Sequence, residues 1–192
     1  ARPFCVLVLG GSQGAHRLNT AMVEALAGLG DPTGVCFVHQ TGAADEATVA
    51  AAYRRSGVTA CVRPFFDDMA AQYTRAHLVV CRAGATTVAE ITALGKAAVL
   101  IPYPHAADDH QARNARRLVE AGAAEMIPER ELSGERLAAR IGFYASHPEA
   151  LAGMAGQALR LGKPDAARRI VDECCRLAAT RIPGQRANGP TG

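Results

Sequence analysis

Six short apolar runs divide the first two-thirds of the chain, and each of the first five leads through a turn into an alanine-rich stretch of helical character. The runs are FCVLVL (4–9), VCFVHQ (35–40), TACVRPF (59–65), HLVVC (77–81), AAVLIP (97–102) and AEMIP (124–128). Apolar residues at nearly every position, not at alternate ones, mark strands buried on both faces. Such strands, separated by helices, are accommodated by a parallel sheet with a helical layer on each side. Helices are expected over roughly 15–29, 43–56, 68–76, 86–95 and 108–121. From about residue 131 the chain reads as helix throughout, broken at Pro148 and near GKPD (162–165). The pattern predicts an α/β domain over residues 1–178, a Rossmann-like, doubly wound parallel sheet. The segment 179–192, polar and rich in Gly and Pro, is expected to be a disordered tail.

Several classes of function are disfavoured at once. The formal charge is +3, Lys96 and Lys163 are the only lysines, and aromatic residues make up 5%. Neither a basic stripe nor stacking rings are available for nucleic acid. The six cysteines form no C-x-x-C pair, and Cys5, Cys36, Cys61 and Cys81 lie in strand-like runs. They read as small buried hydrophobes of a reducing cytosol, not as a disulfide framework or zinc site. No apolar segment approaches the ~20 residues that span a bilayer, and no signal peptide is evident. The abrupt opening on a strand is expected of a domain cut from a longer protein.

In a sheet of this kind ligands bind beyond the carboxyl ends of the strands, so the loops there decide the function. The first, GGSQGA (10–15), places Gly10, Gly11 and Gly14 around Ser12 and Gln13. It is neither G-x-G-x-x-G nor a P-loop. Glycines that bare main-chain N–H groups at a helix start suit an anion, and a tight turn without a ligand explains the same residues. The loop CRAGATTVAE (81–90) sets Gly84, Ala85, Thr86 and Thr87 at a second helix start. Glu90 follows one turn later, ~5 Å along the same face. A carboxylate at that distance from a phosphate suits the paired hydroxyls of a ribose, while a solvated first-turn acid is the plainer alternative. PYPHAADDHQARNA (102–115) brings His110, Gln111 and Asn114 to a third helix start, where Asp108 or Asp109 can cap. Such donor–acceptor side chains suit sugar hydroxyls and an acetamido group. His105, Asp108, Asp109 and His110 match no metal-ligand spacing. In RPFFDDMAAQY (63–73), Phe66 can lie beside a base while its backbone N–H and C=O read the base edge; the plainer alternative makes Phe65, Phe66 and Met69 ordinary core, with Asp67 capping the helix.

GGSQGA (10–15), HQTG (39–42), FFDDMAAQY (65–73), CRAGATTVAE (81–90) and PHAADDHQARNA (104–115), in this order and spacing, resemble the MurG family over residues 4 to 178. Members transfer N-acetylglucosamine from UDP-GlcNAc to lipid I during peptidoglycan synthesis, using two Rossmann-like domains in the GT-B arrangement. Only the C-terminal, donor-binding half is matched. The resemblance implies that Phe66 meets uracil through its backbone and that Glu90 holds the ribose. Ser12, Ala85, Thr86 and Thr87 would lie along the diphosphate, and His110 and Gln111 would read the sugar, with Asn114 behind them. Gly11, Gln13, Gly14, Asn19, Met69, Arg82 and Gly84 complete the implied donor-binding set. His110 departs from relatives that carry glutamine there.

The resemblance further implies an inverting hexosyltransferase that needs no metal cofactor. The C4 hydroxyl of the acceptor's MurNAc would attack the anomeric carbon. The general base, the lipid I site and the contact with the inner face of the plasma membrane are expected on an N-terminal domain that these residues do not contain. The chain by itself is expected to bind donor without turnover. Two alternatives stay open: a non-catalytic nucleotide-sugar-binding module, and another UDP-sugar enzyme of this fold, an epimerase or lipid glycosyltransferase.

Overall fold

The computed structural model describes residues 3–10, 15–30 and 34–180. Six strands, β1 (Phe4–Leu9), β2 (Val35–Gln40), β3 (Thr59–Arg63), β4 (Leu78–Cys81), β5 (Ala97–Leu100) and β6 (Glu125–Met126), form one sheet in the order β3-β2-β1-β4-β5-β6. Every pairing is parallel, with Leu9 opposite Gln40 on one side and Cys81 on the other. The chain winds outward from β1 in one direction and from β4 in the other. That reversal opens a crevice beyond the carboxyl ends of β1 and β4.

The double-sided apolar pattern becomes two cores. Val6, Val8, Leu78, Val80, Val99 and Ile101 face one layer, together with Leu18 and Met22 of α1 (His16–Ala25), Tyr53 of α2 (Glu46–Ser56) and Leu137 and Ile141 of α6 (Gly134–Ser146). Leu7, Leu9, Val79, Cys81 and Leu100 face the other, with Tyr73 of α3 (Met69–Arg75), Ile91 of α4 (Ala85–Ala93) and Ala115 and Leu118 of α5 (His110–Glu120). Val6, Leu7, Val8, Val79 and Val80 are fully buried. Each such side chain contributes about 1.5–3 kcal/mol relative to exposure. Residue alternation across a double-covered sheet therefore requires apolar residues at successive positions.

Local chemistry trims the expected elements. β3 stops at Arg63 because Pro64 has no N–H for the ladder. β5 ends at Leu100, before Pro102. Pro148 does not interrupt a helix. It begins α7 (Pro148–Leu161), where a missing N–H is harmless, and the break falls at His147. Asp67 is not the cap of α3: the Asp68 carboxylate accepts from Ala71 N–H at 3.0 Å. Phe65 is not core either but 55% exposed, while Phe66 turns inward. Gly134 lies so close to α1 that an added Cβ would meet the backbone of Glu24 and Ala25 at 2.6 and 2.7 Å. All six cysteines are free, with Cys5 and Cys81 buried. Among the described residues, those up to 162 form one compact unit and those from 163 to 180 a second, which carries α8 (Ala166–Thr180). Among the described residues no helix is long and apolar enough to cross a membrane.

Candidate functional site

A cleft of about 550 Å³ opens where the strand order reverses, lined by Gly10, His16, Arg17, Arg82, Gly84, Thr87, Tyr103, Gln111 and Glu129 among others. Two helix starts border it. In α1 the first intrahelical bond runs from Asn19 N–H to Ala15 O, and in α4 from Val88 N–H to Gly84 O, each 2.9 Å. The amides before those bonds have no partner within the helix and carry the positive end of its dipole. Gly84 sits at the cap of α4 without a side-chain cap, and a Cβ there would meet nothing within 4 Å. The α4 start is therefore open, with Thr86 exposed and Thr87 half-buried. Such a concavity accommodates an anion. Gly11, Ser12, Gln13 and Gly14 lie outside the described residues.

Gln111 fastens the far wall. Its Oε1 accepts from Ala83 N–H (3.2 Å) and Tyr103 N–H (3.0 Å), tying α5 to the loops after β4 and β5. Two N–H donors can only meet an oxygen, so the amide orientation is set and Nε2 carries both remaining donors. Asn114 Nδ2 donates to Ala83 O at 3.1 Å, so the two side chains of α5 hold Ala83 through both its backbone N–H and its carbonyl. His110 stands exposed beside the cleft and donates from Nδ1 to Ala107 O at 2.7 Å, which leaves Nε2 as an acceptor in the neutral ring. Asp108 and Asp109, just before it, have φ of 50° and 52°, a left-handed pair that costs non-glycine residues about 1–2 kcal/mol each. Neither caps α5 through its side chain; Asp109 pairs with Arg116 at 3.3 Å instead. The φ at Asp109 lies outside the extended range typical of a capping residue.

Arg82 braces the floor. It donates to Ile101 O (3.1 Å) and Pro102 O (3.4 Å), lies over the Tyr103 ring and pairs with Glu129 at 2.5 Å. Glu90 lies off the cleft proper, one turn along α4 from Thr87. There Tyr73 Oη donates to Glu90 Oε2 at 2.8 Å and fixes the carboxylate. Burial, before the carboxylate itself, pushes the Tyr73 phenol well up, so it stays a donor. Phe66 and Met69 pack half-buried against the α3–α5 core. Phe66 N–H donates to Gln40 Oε1 at 3.0 Å, so a base reading this edge would meet an amide already engaged.

Asn19 requires correction. It is 1% exposed, and its Nδ2 donates to Thr41 O (2.9 Å) and Asp45 Oδ2 (2.8 Å), while its Oδ1 accepts from His39 Nε2 at 3.0 Å. Every side-chain group is spent inside the protein, so Asn19 supports the rim from within and does not face a ligand. Tyr73, His16, Asp45, Tyr103 and Glu129 are residues the sequence reading missed. Tyr73 had a signal, because a buried phenol requires a partner for its hydroxyl; the others are assembled by the fold. Among the described residues no group of three or more His, Cys, Asp and Glu is placed to hold a metal ion.

The family model for the glycosyltransferase family 28 C-terminal domain matches residues 5–170. The chain belongs to glycosyltransferase family 28. It is 54% identical over 175 residues, 91% of this chain, to the UDP-N-acetylglucosamine--N-acetylmuramyl-(pentapeptide) pyrophosphoryl-undecaprenol N-acetylglucosamine transferase of Myxococcus xanthus (strain DK1622), and covers 46% of that protein. The transferase of the same name from Geotalea uraniireducens (strain Rf4) is 53% identical, with 48% of it covered. The chain thus spans about half the length of the curated relatives it matches. The crystal structure of Acinetobacter baumannii MurG superposes with a TM-score of 0.83 at 36% identity, over 91% of this chain and 52% of that one. This places the family 28 chain on the C-terminal half of a GT-B enzyme. A UDP-N-acetylglucosamine 2-epimerase, 16% identical with a TM-score of 0.63 over 99% of this chain and 47% of its own, shares the fold alone.

Proposed function

We infer that this domain binds the donor of an inverting hexosyltransferase that moves N-acetylglucosamine from UDP-GlcNAc to the MurNAc C4 hydroxyl of lipid I, giving lipid II. One observation carries the reading: the open start of α4, the Tyr73-held carboxylate of Glu90 and the Gln111 clamp stand along a single sheet rim. A nucleotide diphosphate-sugar asks for those three functions in sequence. The transferase activity named for the Myxococcus xanthus and Geotalea uraniireducens relatives supports the choice of sugar and acceptor.

In this reading the amides of α4 and the Thr86 and Thr87 hydroxyls face the diphosphate. As the anomeric C–O bond breaks, negative charge grows on the departing β-phosphate, and donors already oriented stabilise it without reorganisation. Glu90 accepts from the ribose hydroxyls, and Gln111 Nε2 with His110 Nε2 reads the sugar. Phe66 faces uracil with Met69 beneath, and Arg82 with Gly84 forms the floor. The acceptor's proton must pass to a general base, which belongs to the remainder of the transferase along with the lipid site and the contact with the inner membrane face.

Isothermal titration calorimetry of the chain with UDP-GlcNAc tests this. Saturable binding is expected, without hydrolysis or transfer. A folded chain that binds neither UDP nor UDP-GlcNAc would overturn the reading. Glu90→Ala is expected to weaken binding by about 1–3 kcal/mol, the scale of charge-assisted hydrogen bonds.

A further inference from the structure

His16 opens α1 and lines the same cleft as Gly84 and Thr87. Its Nδ1 lies 2.9 and 3.1 Å from the two carboxylate oxygens of Asp45, while the imidazole itself is 83% exposed. A side chain so exposed ordinarily samples several rotamers; this one is held. Asp45 is held in turn, since its Oδ2 also accepts from Asn19 Nδ2. Asn19 Oδ1 then accepts from His39 Nε2, and His39 Nδ1 takes the hydroxyl of Tyr53 at 3.2 Å. Burial pushes His39 down to about 3, so it is neutral and its single proton has one consistent place, on Nε2 toward Asn19. The order of donors is thereby set along the whole chain, Tyr53 to His39 to Asn19 to Asp45, and it ends on a carboxylate facing an imidazole. Burial works to raise Asp45, but the bonds from Asn19 and His16 outweigh it and keep its carboxyl below the ordinary value.

We propose that His16, positioned by Asp45 through this buried relay, is a protonation-dependent cation of the donor cleft that contacts the diphosphate through Nε2–H. The proposal rests on the donor-binding reading above. Its logic is geometric: with Nδ1 spent on Asp45, Nε2 is the nitrogen left for a ligand in the cleft. When the ring is protonated, both nitrogens donate, one backward to the carboxylate and one to the anion. When it is neutral, Nδ1–H stays with Asp45 and Nε2 presents a lone pair, which repels a phosphate oxygen. The pair therefore converts proton concentration into donor affinity.

The other charged groups around the imidazole leave this response to His16. Arg17 on α1 is tied to Leu132 O at 2.7 Å, and Arg82 is paired with Glu129. Glu24 faces the small hollow of about 130 Å³ that His16 and Asp45 also line. Guanidinium and carboxylate groups ordinarily titrate outside the interval from about pH 6 to about pH 8, and His39 is already neutral across it.

The test is calorimetry of the full chain with UDP-GlcNAc at about pH 6, about pH 7 and about pH 8, in two buffers of different ionisation heat. UDP-GlcNAc is the probe because its diphosphate is a diester and has no proton to exchange in this interval. Binding is expected to be tighter at the lowest pH than at the highest by on the order of three- to fivefold, the scale of an exposed ionic hydrogen bond, with net proton uptake greatest between them. His16→Gln should abolish both the pH response and the uptake. His16→Arg, a permanent cation, should bind at every pH as the native chain does at the lowest one. Asp45→Asn should move the response to lower pH. A flat affinity without proton uptake in the native chain, or a His16→Gln variant with the native response, would refute the role of His16 while leaving donor binding intact. No binding at any of these pH values by folded protein would sink both.

Discussion

Replacing Tyr73 by phenylalanine removes one oxygen from the buried face of α3 and releases the carboxylate that it holds. Tyr73 is 1% exposed and its hydroxyl donates to Glu90 at 2.8 Å. A hydrogen bond to a charged partner contributes about 1.5–3 kcal/mol. Glu90 is only half-buried, so water recovers part of the loss and a destabilisation of about 1.5 kcal/mol is expected. Donor binding should respond separately. A carboxylate freed to explore its rotamers loses about 0.5–1 kcal/mol when a ligand fixes it again, or roughly two- to fivefold in affinity. Urea denaturation measures the first quantity and calorimetry with UDP-GlcNAc the second. The two effects must also be linked through Glu90. In a Glu90→Ala background, Tyr73→Phe should leave affinity unchanged, because the group it positioned is gone. If the double variant binds more weakly than Glu90→Ala by the same factor seen in the native background, Tyr73 acts on the site by another route and the positioning argument fails.

Gly134→Ala should destabilise the domain by about 3 kcal/mol, at the upper end of overpacking costs, because the added Cβ meets backbone of α1 that cannot swing aside; urea midpoints measure it. Gln111→Leu removes the acceptor shared by Ala83 and Tyr103 N–H, so stability should drop by about 2 kcal/mol and donor affinity by about tenfold, read by the same denaturation and calorimetry. His39 links stability to acid. Burial lowers its folded value to about 3, so below an ordinary histidine's range the unfolded chain binds the proton and the folded one does not. Stability from this residue is intact above about pH 6.5 and declines as pH falls toward about 3, by about 2 kcal/mol at pH ~5. Denaturant midpoints at about pH 7 and about pH 5 should converge in His39→Gln after its own loss is subtracted, and an undiminished acid slope in that variant would point elsewhere.

The doubly wound sheet was legible because burying both faces of a strand leaves no freedom in residue choice. FCVLVL and HLVVC can serve in few other settings, and their order along the chain, each followed by a helix, implies right-handed parallel crossovers. Turn chemistry was less legible: Asp67 and Asp68 are chemically equivalent as caps, and only the path of the chain after Pro64 selects Asp68 and leaves Phe65 outside. Of the candidate site, Gly84, Thr87, Arg82 and Gln111 were visible in local motifs and all line one cleft. Asn19 was visible too but misassigned, because a helical position says which face a side chain takes and not which groups wait there.

The sequence by itself determined the double-covered parallel sheet, the helix starts along its rim and the family to which those loops belong, since each follows from hydrophobic period or from residues close together in the chain. Only the tertiary structure decided that Tyr73 steers Glu90, that Gln111 joins two loops, and that a relay from Tyr53 ends on His16. Those contacts join separate elements of the fold. Their energies depend on distances of about 3 Å, which packing sets and local composition does not encode.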